Sequence, residues 1–396
     1  VSAWQERAKK VWSQGFPGTN SKRSTQYPKN APDFLSRASG PYVWDINGKK
    51  YIDFVGALGT IILGYNHPKV NDAVVNQLYT GYVSGTFPHP IEIECAEMIQ
   101  SLFPACEKIR FFKNGDDATR AAVRIARAHT DQSYVMSENY HGSSDLWTSL
   151  TPPALGVKET FHIGPFKKDS WLSKGSEACY IDEPIVFDPS ETRKEEITSR
   201  LNYCQEKGTV VIFDEIITGC RVPKLSVHKW WNLKPDLVCL GKAIANGFPL
   251  SVVGGKKEIM DSKEYFLSTT FSSEAVSLAA CKATLTELKL KNMEDLWFYA
   301  NRFQTRFNEL CKSIGVEIKG YGTRGSMDLT KPEVALFCQE SLKAGILFGK
   351  AFFFNFSHME ASFDEYLFNI LSDIVRKIEL KQVSLEGELP KQPFVR

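Results

Sequence analysis

The sequence has no excess charge of either sign. Its 48 lysines and arginines nearly cancel 46 aspartates and glutamates, leaving a formal charge of +2. Such a surface offers no footing for nucleic acid or an anionic membrane, so neither is expected as a partner. No apolar run reaches the length of a membrane span. The start, "VSAWQERAKKVWSQGF", carries charges inside its apolar pattern and is no secretory leader; it reads as a short amphipathic helix. The missing initiator Met suggests a processed or trimmed chain. There is no Cys-x-x-Cys spacing among the nine cysteines, an odd count. Cys204, Cys239 and Cys281 fall inside apolar or helical stretches. They read as small core residues in a reducing, cytoplasmic compartment, not as zinc ligands, and no metal is expected. Internal repeats and low-complexity segments are absent too. What is present is 396 residues, 43% hydrophobic and 24% charged. That is globular composition with a core large enough for two or three domains.

Along the chain, "YVWDINGKKYIDF" (42–54) places two alternating runs around Asn47-Gly48, a hairpin signal. The Gly-rich 56–68 is turn-like, and 69–83 and 90–103 look helical. In "KIRFFKNGDDATRAAVRIARAHT" a short strand (108–112) meets a glycine turn. A helix follows with Ala118, Ala121, Ala122, Ile125, Ala126 and His129 on one face. Short apolar strands then alternate with helices: "SYVMSE", "ACYIDEP", "TVVIFDEI", "DLVCLG" and "LSVVGG" are strands, "TSRLNYCQEKG" a helix. This predicts an α/β fold with a mostly parallel, buried sheet. From about 275 the pattern becomes helix, short strands and a final helix (363–381), then a loose tail. The expected division is an N-terminal arm (1–45), a large domain (46–280) and a small α+β domain (281–396).

"TVVIFDEIITG" and "DLVCLGKAIANG" are apolar runs that each end in a charged side chain, Asp214 and Lys242. The carboxyl ends of parallel strands form the ligand crevice of such sheets, so both point toward one pocket. Taken alone, the two also fit a structural ion pair. A partly desolvated lysine traps carbonyls. An acid at a strand end keeps a pyridine nitrogen protonated. The glycine turn in "FFKNGDDAT" offers N–H groups for a phosphate. Together these are what pyridoxal phosphate (PLP) requires.

Seven motifs in order resemble the class III, fold-type I PLP-dependent aminotransferases, near glutamate-1-semialdehyde aminomutase and sugar-pathway aminotransferases. They are "WDINGKKYIDF", "LGYNHP", "FFKNGDDATRAAVRIARAHT", "YHGSSD", "DEIITGCR", "PDLVCLGKAIANGFPLSVVGG" and "STTFSSEAVSLAA". The resemblance covers roughly 15–380. It implies a large domain with a seven-stranded-type sheet flanked by helices, and a smaller α+β domain from both chain ends. It implies Lys242 as Schiff-base lysine and proton shuttle, Asp214 on the pyridinium nitrogen, and Ile216 beneath the ring. Tyr140, followed by His141, would cover the other face. Glu183 would lie near the cofactor hydroxyl and substrate. Asn114, Gly115 and Asp116 would cradle the phosphate, and Thr270 would reach the phosphate of the neighbouring subunit in a homodimer.

Two departures qualify this. Asp116 stands where the family has a small hydroxyl residue. An acid 4 Å from a phosphate costs about 1 kcal/mol per charge pair in water and about 4 at intermediate dielectric. In "GTNSKRST", Arg23 sits one place before the family's carboxylate-binding arginine, and Ser24 holds that place. "LFGKAFFFNFSHM" offers aromatics and His358 but no arginine to clamp an α-carboxylate. The expected function is therefore a transaminase acting on an amino donor and a keto-sugar or nucleotide-linked sugar. An aminomutase and a non-catalytic relative with a weakened phosphate site are the rival readings.

Overall fold

The computed structural model describes residues 3–12, 26–81, 87–147, 163–164, 177–263 and 265–391. It divides into two compact units, one made of residues 1–58 with 298–396 and one continuous over 59–297. The first unit opens with the helix Ala3–Val11 and an antiparallel meander of β1 (Leu35–Ser39), β2 (Tyr42–Asp45) and β3 (Lys50–Asp53). The hairpin turns at Asn47-Gly48 because Gly48 takes a φ of 83°. The Asp45 carboxylate accepts from the N–H groups of Asn47 (2.8 Å) and Lys49 (2.9 Å).

The second unit is built on β4 (Lys108–Phe112), β5 (Tyr134–Ser137), β6 (Ile163–Gly164), β7 (Glu177–Asp182), β8 (Val210–Glu215), β9 (Leu237–Leu240) and β10 (Ser251–Gly255). Their order is β4-β10-β9-β8-β7-β5-β6. The run from β9 to β6 is parallel, and β10 is antiparallel to both neighbours. Every residue of β7, β8, β9 and β10 is buried, so these strands read as continuous apolar runs, as a sheet covered on both faces requires. The helix Gly115–Thr130 packs on β7, β9 and β10 through Ala118, Ala121, Ala122, Ile125 and Ala126, all buried. Small side chains let its axis approach the sheet.

The first unit then resumes with β11 (Lys319–Tyr321), β12 (Arg324–Ser326), β13 (Ile346–Leu347) and β14 (Ala351–Phe352), and with the helices Pro332–Lys343 and Asp364–Glu379. Strand β13 pairs parallel with β3, giving a four-stranded sheet, and β11-β12-β14 form another. The aromatic run around 352–356 is core, not a sugar platform. Phe352, Phe353, Phe354, Phe356 and His358 are all buried, and Phe54 stacks on Phe348, Phe352 and His358 at 5.0, 5.3 and 4.9 Å. His358 accepts from the Asn355 N–H at Nδ1 (3.2 Å) and donates from Nε2 to the Asp53 carbonyl (2.9 Å), which fixes one neutral tautomer.

The units part at 58 and 297, where the sequence reading divides the chain at 45 and 280. Strand pairing ties β2 to β3 across 45, and the helix Ala275–Leu290 packs on the helices Pro68–Thr80 and Pro90–Leu102.

Candidate active site

Parallel pairing brings the carboxyl ends of β5, β7, β8 and β9 to one edge of the sheet. The residues just past or at those ends are Asn139 and His141, Asp182 and Glu183, Asp214, and Lys242. His141 is buried between two acceptors. Its Nδ1 lies 2.7 Å from Asp214 Oδ2 and its Nε2 lies 2.5 Å from the Glu138 carbonyl. Both ring nitrogens thus face oxygen partners, an arrangement that favours the protonated ring. Burial pulls the His141 pKa down. The Asp214 hydrogen bond and charge, with the charges of Asp182 and Glu183, outweigh burial and hold it above its ordinary value. Asp214 also accepts from the Ile216 N–H (3.1 Å).

Asp182 is fixed by Asn139 (2.8 Å), the Tyr180 hydroxyl (2.8 Å) and Arg193 (2.8 Å). Burial raises its pKa, against the charge of Arg193. Glu183 is buried, and its carbonyl accepts from Arg193 at 3.4 Å.

The helix Gly115–Thr130 starts at the same edge. Asn114 caps it, with its N–H (3.1 Å) and side-chain amide (3.2 Å) on the Asp117 carboxylate, while Arg120 braces Asp117 at 2.8 Å. The N–H groups of Gly115 and Asp116 belong to the first turn, which has no acceptor in its own helix, at the positive end of its dipole. A Cβ on Gly115 would lie 2.8 Å from Ile216 Cδ1, and one on Gly241 would lie 3.3 Å from Ile216 Cγ2. Ile216 therefore sits between the helix start and the turn that carries Lys242. Lys242 itself is half-buried at a φ of 45°. A left-handed non-glycine residue costs on the order of 1–3 kcal/mol, and such strain gathers at functional sites.

A helix start, a strained lysine and an acid paired with a buried histidine thus share one edge. The class III aminotransferase family matches residues 25–170 and 192–359. The chain belongs to that family. It is 33% identical over 286 residues, 66% of each chain, to a glutamate-1-semialdehyde 2,1-aminomutase of Fusobacterium nucleatum. The FumI protein of Sphingopyxis sp. MTA144, solved in its PLP internal aldimine form, superposes with a TM-score of 0.86 at 25% identity over 96% of this chain and 97% of that one. An omega-transaminase of Sphaerobacter thermophilus does so at 0.80 and 21% identity, over 95% and 97% of the two chains, and likewise shows the fold. The architecture is that of the fold-type I PLP transaminases.

In this class III aminotransferase, sequence reasoning missed the clamp behind Lys242. Asn246 (φ 44°) accepts from the N–H groups of Ile62 and Leu63, each at 2.9 Å, and donates to the Gly64 carbonyl at 3.0 Å. Arg221 is fully buried and donates to the carbonyls of Gly59 (2.8 Å) and Ile61 (2.7 Å). The glycine-rich 59–64 is thereby fastened to the lysine turn. Lys113 and Glu274 form a half-buried ion pair at 2.8 Å beside the phosphate turn, with burial lowering the Lys113 pKa and Glu274 opposing. Both are charges inside quoted motifs, Lys113 in "FFKNGDDAT" and Glu274 in "STTFSSEAVSLAA".

Tyr140 is 61% exposed, beside His141. Thr270 is exposed in the segment before the helix Ala275–Leu290, and among the described residues no hydrogen bond joins it to the other candidates. Arg23 and Ser24 lie outside the described residues. No cluster of three metal-ligating side chains occurs among those described, and no helix among them is long and apolar enough to cross a membrane.

Proposed function

We propose that this chain is a PLP-dependent aminotransferase that moves an amino group from an amino donor to a carbonyl acceptor. The observation that carries this reading is the meeting, about Ile216, of the Gly115 helix start, the Asp214–His141 pair and the Lys242 turn. These residues fit the cofactor. Gly115 has no room for a side chain, the first-turn N–H groups suit a phosphate, and Asp214 retains acceptor capacity for a pyridinium N–H. When bound, PLP supplies an aldehyde and a protonated ring that takes up an electron pair. Lys242 would hold the cofactor through its amine and would serve as the base that moves a proton at the substrate carbon. His141 holds Asp214 in place. Ile216 would bear on one ring face, and Tyr140 would cover the other. Glu183, buried just past β7, would lie near the substrate.

A homodimer completes the proposal, with Thr270 reaching the partner's phosphate. Tyr79, Phe87, Phe266 and Phe271 of the same unit are exposed aromatics that such a partner could cover. The acceptor lacks small dicarboxylate character, as in a keto-sugar, because no arginine occurs in "LFGKAFFFNFSHM". The similarity to an aminomutase favours the second reading, in which the amine stays within one substrate.

The test is a visible absorption titration of the protein with PLP, then borohydride reduction and peptide mass mapping. A band, with the reduced adduct on Lys242, supports the proposal. A 15N-labelled donor that passes its label to a second carbonyl compound separates transferase from mutase. No band at high cofactor overturns the reading in favour of a non-catalytic relative.

A further inference from the structure

An acid at the second residue of a phosphate-binding helix is electrostatically adverse, yet Asp116 occupies that place. Its carboxylate is turned sideways, onto the segment 141–147. Oδ1 accepts from the Ser144 hydroxyl at 3.0 Å. A Cβ on Gly142 would fall 2.0 Å from Oδ1 and 2.6 Å from Cγ, so the carboxylate fills the space that a side chain at 142 would need. Gly142 also holds a φ of 151°, a conformation that L side chains rarely adopt. Arg120 approaches the other oxygen at 3.7 Å. The main chain adds a second tie. Thr119 Oγ1 lies 3.2 Å from the Asp116 carbonyl and 2.7 Å from the His141 carbonyl. Beyond Ser144, whose carbonyl accepts from the Trp147 N–H at 2.8 Å, the Trp147 ring returns to within 5.4 Å of the His141 ring.

The segment is thus held at one end by Asp116 and at the other by the His141–Asp214 pair. We propose that Asp116 is a positioning residue: its carboxylate latches the Tyr140–Trp147 segment to the start of the Gly115 helix and so sets His141 against Asp214, leaving the phosphate to the backbone N–H groups. This rests on the PLP reading above and gives this chain's acid a task that a small hydroxyl at 116 is too short to perform. Gly142 is its necessary partner, since any side chain there would drive the carboxylate back toward the helix start.

The two fates of the carboxylate separate by comparing PLP with pyridoxal, which has the aldehyde and ring but no phosphate. A latch acts on the ring end, so Asp116→Ala weakens both ligands by the same factor, about tenfold for one lost charge-assisted hydrogen bond. It also shifts the pH midpoint of the visible band, because His141 and Asp214 have moved. Asp116→Asn, which keeps an acceptor for Ser144, restores both affinities and the midpoint. Thermal midpoints of all three proteins report folding separately. The proposal is overturned if Asp116→Ala tightens PLP and leaves pyridoxal unchanged, which would mean the acid faces the phosphate. It is equally overturned if only the thermal midpoint falls. A wild-type protein that gives no band with either aldehyde removes the PLP reading itself, and the latch proposal with it.

Discussion

Consecutive residues of β8 each hold a buried histidine, and they do so to different ends. Asp214 meets His141 at 2.7 Å and Glu215 meets His228 at 2.6 Å. Side chains alternate across a strand, so the two acids face opposite sides of the sheet. Glu215 is saturated. It accepts in addition from the N–H groups of Val227 (2.6 Å) and His228 (3.1 Å) and from the Thr218 hydroxyl (3.3 Å). His228 Nε2 lies 3.5 Å from the Ser226 hydroxyl, which resembles a nucleophile relay, but serine, histidine and glutamate are all at most 2% exposed. Among the described residues, Asp214 has only His141 and the Ile216 N–H on its four lone-pair sites. A buried acid–histidine pair is therefore no signature of chemistry by itself. Acceptor capacity left over at the sheet's carboxyl edge distinguishes the pair proposed to meet the cofactor from the one that holds residues 216–228 in place.

The comparison breaks first, and by the largest margin, at Asp214→Asn. Turnover should fall on the order of 10²–10³-fold, as when one preorganised electrostatic partner is removed. The cofactor-free protein should also lose the stability that the His141 pair contributes, but less than the Glu215 variant loses; equal loss of stability in the two variants would erase the distinction. Next comes Glu215→Gln. The amide places an N–H among donors, so unfolding in urea should register a loss of about 2–3 kcal/mol. The fraction that remains folded should still bind cofactor.

The smallest effect is in pH. The folded pKa of His141 is raised, so its stabilising contribution is complete below the unfolded value, about 6.5, and is lost as pH rises through the folded one. Melting curves of the cofactor-free protein from pH 5 to 9 should show this decline. His141→Gln should flatten it, and an unchanged slope would assign the titration to other groups.

The sheet was legible because burial on both faces leaves uninterrupted apolar runs, and the helix at Gly115 because its alanines recur at one face. Lys242 and Asp214 stood out as charges at the ends of such runs. The direction of β10 was not legible from its own residues, since "LSVVGG" reads alike either way. The clue lay in its connection: residues 241–250 are too few for a parallel crossover. The orientation of Asp116 depends on the backbone of Gly142, and the partners of Asn246 and Arg221 are carbonyl and N–H groups some 160–180 residues away. Main-chain partners leave no mark in a side-chain pattern. The phenylalanines near 352 were ambiguous for a different reason: a core and a stacking platform use the same residues.

The first unit draws on both chain ends, and that sets an order of events during synthesis. Strand β3 finds its parallel neighbour only when Ile346 arrives opposite Ile52. The continuous 59–297 unit has all its strands before then. Contacts of such long sequence separation form slowly, and domains tend to fold as they emerge. The N-terminal meander therefore leaves the ribosome with an open edge and an uncovered Phe54, and it waits for almost three hundred residues to be translated. During that interval the β3 edge has no partner strand. A truncation anywhere before 346 would leave that edge exposed for good.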